Sequence, residues 1–381
     1  MIRIKRFSIA WLFLVFPLIA MASSDIAGSD EATTKLIEQL GLKPGEQPIR
    51  QAPYWRKPKR IVVTMLDRQV KSRPDAIQWL REVAGGAEIV VAKTRTVSPE
   101  LLQGADVLLG YCNHANLKHG QQLRYILNYS AGVDKCTSSP LVHRRPILVT
   151  NMQRVYGPGI AEHVIGMMYM LTRKLHVYHD RQRAQQWDRK AVKRTAMWEV
   201  QDRTLLVVGL GGIGTQVARR AHALGMRVIA IRNSSRRGPA YVDEVGLPKA
   251  LHTFAAKADV VVNTAPLTAK TKGLFEQQFF RRMKPGAYFI NVGRGKSVVT
   301  ADLIDALNSR HLGGAALDVQ DPEPLPSGHP LWQARNVIIT PHISAGSSRQ
   351  MQRYWLVVRE NLRRYVNGGR MLNVVDLKRG Y

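Results

Sequence analysis

A chain of 381 residues, 45% hydrophobic and 22% charged, is long enough for two domains and has ordinary folded-protein composition, which excludes a disordered or fibrous chain. Its 56 Lys and Arg against 28 Asp and Glu leave a net charge of +28, a surface that attracts anions such as small acids, dinucleotides, acidic lipids or nucleic acid. The excess is spread out, the densest stretch (173–203) holding nine cations against four acids, which argues against a nucleic-acid-binding arm.

At the N-terminus, Arg3, Lys5 and Arg6 precede an apolar run over 7–22 that ends in Ala20-Met21-Ala22. That is the layout of a secretory leader and is short for a membrane span. Residues 1–22 are therefore expected to export or anchor the chain, and membrane contact is expected there alone. The alternative is a cytoplasmic protein whose translation starts at Met21. Residues 23–57 read as an N-terminal extension with a helix over 31–40, broken afterwards by Pro44, Gly45, Pro48 and Pro53.

Regular order is expected from Arg60. Short apolar runs at 60–66, 89–92, 107–110, 125–127 and 147–150 predict strands, with a helix over 74–84 among them. A long helical pattern follows over 158–183, apolar at Ile160, Val164, Met167, Met168 and Leu171. Six more strands are predicted at 204–209, 227–231, 260–264, 287–292, 315–319 and 337–340. Two arrays of alternating strand and helix imply an α/β protein of two doubly wound parallel-sheet domains with a cleft between them. The expected division is 58–150, completed by 343–381, and 151–342. The two cysteines, Cys112 and Cys136, lack metal-ligand spacing, and the sequence leaves open whether they pair.

The run 204–208 leads into Gly209-Leu-Gly211-Gly212-Ile213-Gly214 and then an amphipathic helical pattern. This is the context a dinucleotide-binding turn requires: Gly209 for the tight turn, Gly211 for close approach of a pyrophosphate, Gly214 for helix–strand packing. Where an acid would accept the adenosine ribose hydroxyls stands Arg232, followed by Asn233, Ser234, Ser235, Arg236 and Arg237. Guanidiniums beside small polar groups suit a 2′-phosphate, so NADPH is favoured over NADH, with no metal.

Three further segments end strands. They are Asn291-Val-Gly-Arg294-Gly295, Asp318-Val with Asp321-Pro-Glu323-Pro324, and Thr340-Pro-His342. Open α/β sheets place ligands at such ends. An arginine in a glycine-flanked turn suits a carboxylate, and a histidine with a glutamate partner suits proton donation.

With Ser130-Ala-Gly-Val-Asp134, Ala161-Glu-His163, Ala265-Pro-Leu-Thr268 and the C-terminal Asn373-Val-Val-Asp376 in the same order, the chain from Arg60 onward resembles the D-isomer-specific 2-hydroxyacid dehydrogenases, in particular their glyoxylate/hydroxypyruvate reductase branch. The resemblance implies hydride transfer between NAD(P)H and a small 2-oxo acid. Arg294 then corresponds to the carboxylate clamp, His342 to the acid, and Glu323 to its partner. The amides of Ala131 and Gly132 correspond to a second grip on the substrate carboxylate, and Asp318 to the holder of the nicotinamide carboxamide. It also implies a homodimer, with the contact expected over 158–183. The competing reading is a non-enzymatic, dinucleotide-sensing binding protein on the same fold, of the corepressor type.

Overall fold

The computed structural model describes residues 31–380. The expected leader over 1–22 lies outside them, as do residues 23–30 and Tyr381. Among the described residues no helix is long and apolar enough to cross a membrane.

Among the described residues twelve strands form two all-parallel sheets. The first contains β1 (Arg60–Thr64), β2 (Glu88–Ala92), β3 (Val107–Gly110), β4 (Tyr125–Asn128) and β5 (Leu148–Asn151), in the order β2-β1-β3-β4-β5. The second contains β6 (Thr204–Val208), β7 (Arg227–Ile231), β8 (Glu244–Gly246), β9 (Val260–Asn263), β10 (Tyr288–Asn291), β11 (Gly314–Leu317) and β12 (Val337–Ile339), in the order β12-β11-β10-β9-β6-β7-β8. Most of these strands are continuous runs of Val, Ile and Leu because helices cover both faces. Both orders reverse once, beside β1 and beside β6, and such reversal points open the crevices where ligands bind.

The helix Glu31–Leu40 matches its expected span, but its role differs from that of a loose extension. Leu36, Ile37, Leu40, Leu42 and Ile49 belong to the same buried core as β1 and the helix Gln350–Val366. Trp55 Nε1 donates to the Tyr365 carbonyl at 2.9 Å, and Gly45 N to the Met371 carbonyl at 2.7 Å. Order thus begins well before Arg60. The helix Gln350–Val366 supplies Tyr354, Trp355, Val358, Leu362 and Tyr365 to that core, so the C-terminal segment returns to the first sheet.

The long helix expected over 158–183 is two helices, Gly157–Thr172 and Leu175–Arg183. Lys174 between them has φ +56, and its Nζ donates to the Tyr288 hydroxyl at 3.1 Å. A left-handed residue ends the helical hydrogen-bond run, and apolar periodicity carries no sign of it. Cys112 and Cys136 are joined by a disulfide, which ties the segment after β3 to the segment after β4.

Candidate active site

The glycine turn joins β6 to the helix Gly212–Ala223. Gly209 has φ +100, and a Cβ there would lie 2.8 Å from Ala265 N. At Gly214 a Cβ would lie close against the Gly209 carbonyl oxygen, and Thr264 Oγ1 donates to that same oxygen at 2.6 Å. At Gly211, by contrast, a Cβ would meet nothing within 4 Å, so the backbone there faces open space. The first amides of the helix, at Gly212, Ile213 and Gly214, have no intrahelical acceptor and carry the positive end of its dipole. Two tight glycines and one open one fit a dinucleotide pyrophosphate laid on the turn.

Beyond β7, Arg232 Nε donates to Ser234 Oγ at 3.0 Å and Nη1 to the Arg237 carbonyl at 2.8 Å, which fixes its guanidinium in the loop that carries Asn233 and Arg236. No acid occurs between Gly214 and Asp243. Asp243 is turned away, its carboxylate accepting from Val228 N at 2.8 Å near the start of β7.

Arg294, Asp318 with Glu323, and His342 follow β10, β11 and β12, which are neighbours in register. Their roots therefore lie along one edge, with the end of β11 between those of Arg294 and His342. A buried amide network shapes the Arg294 turn. Asn263 Nδ2 donates to Asn291 Oδ1 at 2.9 Å, and that oxygen accepts Gly293 N at 3.1 Å. Asn291 Nδ2 and Ser297 Oγ both donate to the Arg294 carbonyl. At Gly295 a Cβ would run into the Gln320 carbonyl, so the turn packs directly on the strand end that leads to Glu323.

From there Arg294 reaches the other domain. Its Nε donates to Asp134 Oδ1 at 3.2 Å and its Nη1 to the Gly293 carbonyl at 2.7 Å. Its Nη2 occupies the space a Cβ at Gly132 would take, so only glycine lets the guanidinium lie on this loop. The loop itself is pinned from below. Asn128 Nδ2 donates to the carbonyls of Ser130 and Gly132, and Asn151 Nδ2 donates to that of Ala131 at 2.7 Å. With their carbonyls drawn inward, the amides of Ala131 and Gly132 donate to no group among the described residues. The structure thus brings Ala131, Gly132 and Arg294 together across the cleft.

His342 Nδ1 donates to Glu323 Oε1 at 2.5 Å, and both side chains are partly exposed. With Nδ1 committed, Nε2 is the atom left to face a ligand. Its backbone sits at φ +51, which non-glycine residues rarely adopt. Asp318 holds it there. The Asp318 carbonyl accepts His342 N at 2.9 Å, while its carboxylate accepts Thr340 Oγ1 at 2.7 Å, Ile343 N at 2.9 Å and Ser344 N at 3.1 Å. Burial pushes the Asp318 pKa up, but these donors from Ser344, Thr340 and Ile343 outweigh it and leave it below the usual carboxylate range. At 1% exposure and with these bonds made, Asp318 fixes the turn that carries His342. His163 adds to the same scaffold through Thr340 Oγ1 at 3.1 Å.

Asp134 stood within a motif seen in the sequence, but nothing local marked it as the partner of Arg294, 160 positions away. Among the described residues no group of three or more His, Cys, Asp and Glu side chains is placed to hold a metal ion.

A dinucleotide turn, a guanidinium and an acid–carboxylate pair at one edge of a parallel sheet define a dinucleotide-dependent α/β oxidoreductase. The sequence profile described as "D-isomer specific 2-hydroxyacid dehydrogenase, NAD binding domain" matches residues 165–344. A glyoxylate reductase of Thermofilum pendens is 32% identical over 252 residues, which are 63% of this chain and 71% of that protein. A D-isomer specific 2-hydroxyacid dehydrogenase of Xanthobacter autotrophicus Py2, solved with NADPH and MES, is similar with a TM-score of 0.70 at 28% identity, covering 84% of this chain and 99% of that one. An NADPH-dependent glyoxylate/hydroxypyruvate reductase of Sinorhizobium meliloti, solved with NADP and sulfate, is similar with a TM-score of 0.70 at 26% identity, covering 85% of this chain and all (100%) of that one. The chain belongs to the D-isomer specific 2-hydroxyacid dehydrogenase family. It is an NAD(P)-dependent enzyme acting on the CH–OH group of donors, not a sensor without catalysis.

Proposed function

We propose that the protein reduces a small 2-oxo acid of the glyoxylate or hydroxypyruvate kind to the D-2-hydroxy acid, with NADPH preferred. The observation that carries this is the shared edge on which Arg294, resting on the Gly132 loop, stands two strands from a His342 tethered to Glu323. Arg294 and the amides of Ala131 and Gly132 bind the substrate carboxylate, which fixes the carbonyl's orientation. His342 delivers a proton from Nε2 to the carbonyl oxygen as negative charge develops there. Imidazolium and guanidinium stabilise that charge more in the transition state than in the ground state. Glu323 holds the ring's orientation and tautomer. A nicotinamide dinucleotide held by the Gly209–Gly214 turn would supply the hydride. A panel of 2-oxo acids assayed with each cofactor tests the reading, and no turnover of any of them would end it.

The preference for NADPH rests on Arg232, Ser234 and Arg236 and on the absence of an acid before Asp243. Arg232→Ala is expected to raise KM for NADPH about tenfold or more, the equivalent of one lost charge-assisted hydrogen bond, and to leave KM for NADH nearly unchanged. A wild-type kcat/KM higher with NADH than with NADPH would contradict it.

We further propose that residues 1–22 take the chain out of the cytoplasm. The Cys112–Cys136 disulfide supports this, because such bonds persist in oxidising compartments. The mass of the native protein is expected to show an N-terminus after Ala22 or an intact leader in the membrane fraction. A cytoplasmic protein starting at Met21 would refute it.

A further inference from the structure

The dinucleotide turn has a second basic neighbour that the site described above does not use. Arg154 lies in the link between β5 and the helix Gly157–Thr172, with φ +71. Side chains rarely occupy that region, and a residue held there against its preference is over-determined by its surroundings. The surroundings are the glycine turn. A Cβ at Gly212 would lie 3.0 Å from Arg154 N and 2.7 Å from its Cγ, so Gly212 is what lets Arg154 lie on the start of the dinucleotide helix. Its Nη1 donates, at a long 3.4 Å, to the Leu40 carbonyl at the end of the helix Glu31–Leu40. Among the described residues it forms no ion pair with a carboxylate.

Arg232 stands beside the same turn, because the carbonyl of the preceding Ile231 accepts Gly209 N at 3.0 Å and Leu210 N at 3.3 Å; burial lowers the Arg154 pKa, and the positive charge of Arg232 lowers it further. Among the described residues Arg232 likewise forms no ion pair with an acid, its side-chain bonds going to Ser234 and to the Arg237 carbonyl. Two cations held together beside open backbone at Gly211 repel one another until an anion lies between them.

We propose that Arg154 and Arg232, both held beside the glycine turn, clamp the 2′-phosphate of the dinucleotide, and that the helix Glu31–Leu40 steadies Arg154 through Leu40. The clamp rests on the reading that the Gly209–Gly214 turn binds a nicotinamide dinucleotide. It gives the N-terminal segment a part in cofactor recognition. The competing role for Arg154 is to anchor that segment alone, as a cation at a helix C-terminus does.

Titration calorimetry on the full chain without substrate separates the two, using NADP⁺, NAD⁺ and 2′,5′-ADP, beside the thermal midpoint of each variant. Arg154→Gly removes the guanidinium and suits φ +71, so folding is kept; Arg154→Lys keeps the charge. For Arg154→Gly the Kd of NADP⁺ is expected to rise about tenfold or more, with partial recovery in Arg154→Lys and little change in Tm. The rise is expected for NADP⁺ and 2′,5′-ADP alone; an equal rise for NAD⁺ would overturn a clamp shared with Arg232 on the 2′-phosphate. Unchanged Kd for all three ligands, with or without a fall in Tm, would overturn the proposal. Failure of the wild-type chain to bind any of the three would overturn the underlying dinucleotide reading as well.

Discussion

Replacing His342 is expected to lower kcat at least ~100-fold, the lower end for loss of a positioned acid, while KM for the 2-oxo acid changes little. The asymmetry follows from where the proton is needed. The carbonyl oxygen of the bound substrate is neutral and becomes negative only as the reaction proceeds, so an imidazolium at Nε2 acts mainly on the transition state. The backbone at φ +51 constrains the choice of variant. Alanine is poorly suited to that conformation, whereas asparagine adopts it more readily and cannot supply an imidazolium proton. His342→Asn should therefore keep the turn held by Asp318 and still lose turnover, as measured by the fall in reduced-nicotinamide absorbance. Equal kcat in wild type and His342→Asn would remove His342 from the mechanism.

Arg294→Ala is expected to be worse, because it damages both binding and turnover. The guanidinium makes charge-assisted contacts worth roughly 1.5–3 kcal/mol each, so its loss should raise KM about 10- to 100-fold, and kcat should fall with it as the carbonyl loses its fixed orientation. Asp134 would also be left facing the cleft without its cation. Arg294→Lys should recover only part of the binding, since an ammonium cannot match a carboxylate with two parallel bonds. Full activity in the lysine variant would show that charge alone suffices and that the fork geometry is irrelevant.

The alternating strands and helices were legible because buried parallel strands leave continuous apolar runs, and eleven of the twelve were visible in that way. The strand Glu244–Gly246 was not, being three residues with a single aliphatic side chain. The helix Glu31–Leu40 could be read from its own apolar spacing, but not its docking against the helix Gln350–Val366, which depends on residues about three hundred positions away. The same distinction holds at the site. Arg294, Glu323 and His342 stand at strand ends, which sequence can locate. The work of Asp318 depends on which donors fold back onto it, and those of 340–344 become its partners only when β11 and β12 pair. Asp134 and Arg154 were silent for the same reason, as each takes its meaning from a partner in a distant segment.

The central claim is that Arg294 and His342 act on one carbonyl. A double-mutant cycle in kcat/KM for the best 2-oxo acid, using Arg294→Lys, His342→Asn and the double variant, measures it most directly. Residues acting on a common transition state are strongly non-additive, so the double variant should be little worse than the poorer single one. Strictly additive losses, the two fold-changes simply multiplying, would contradict the account.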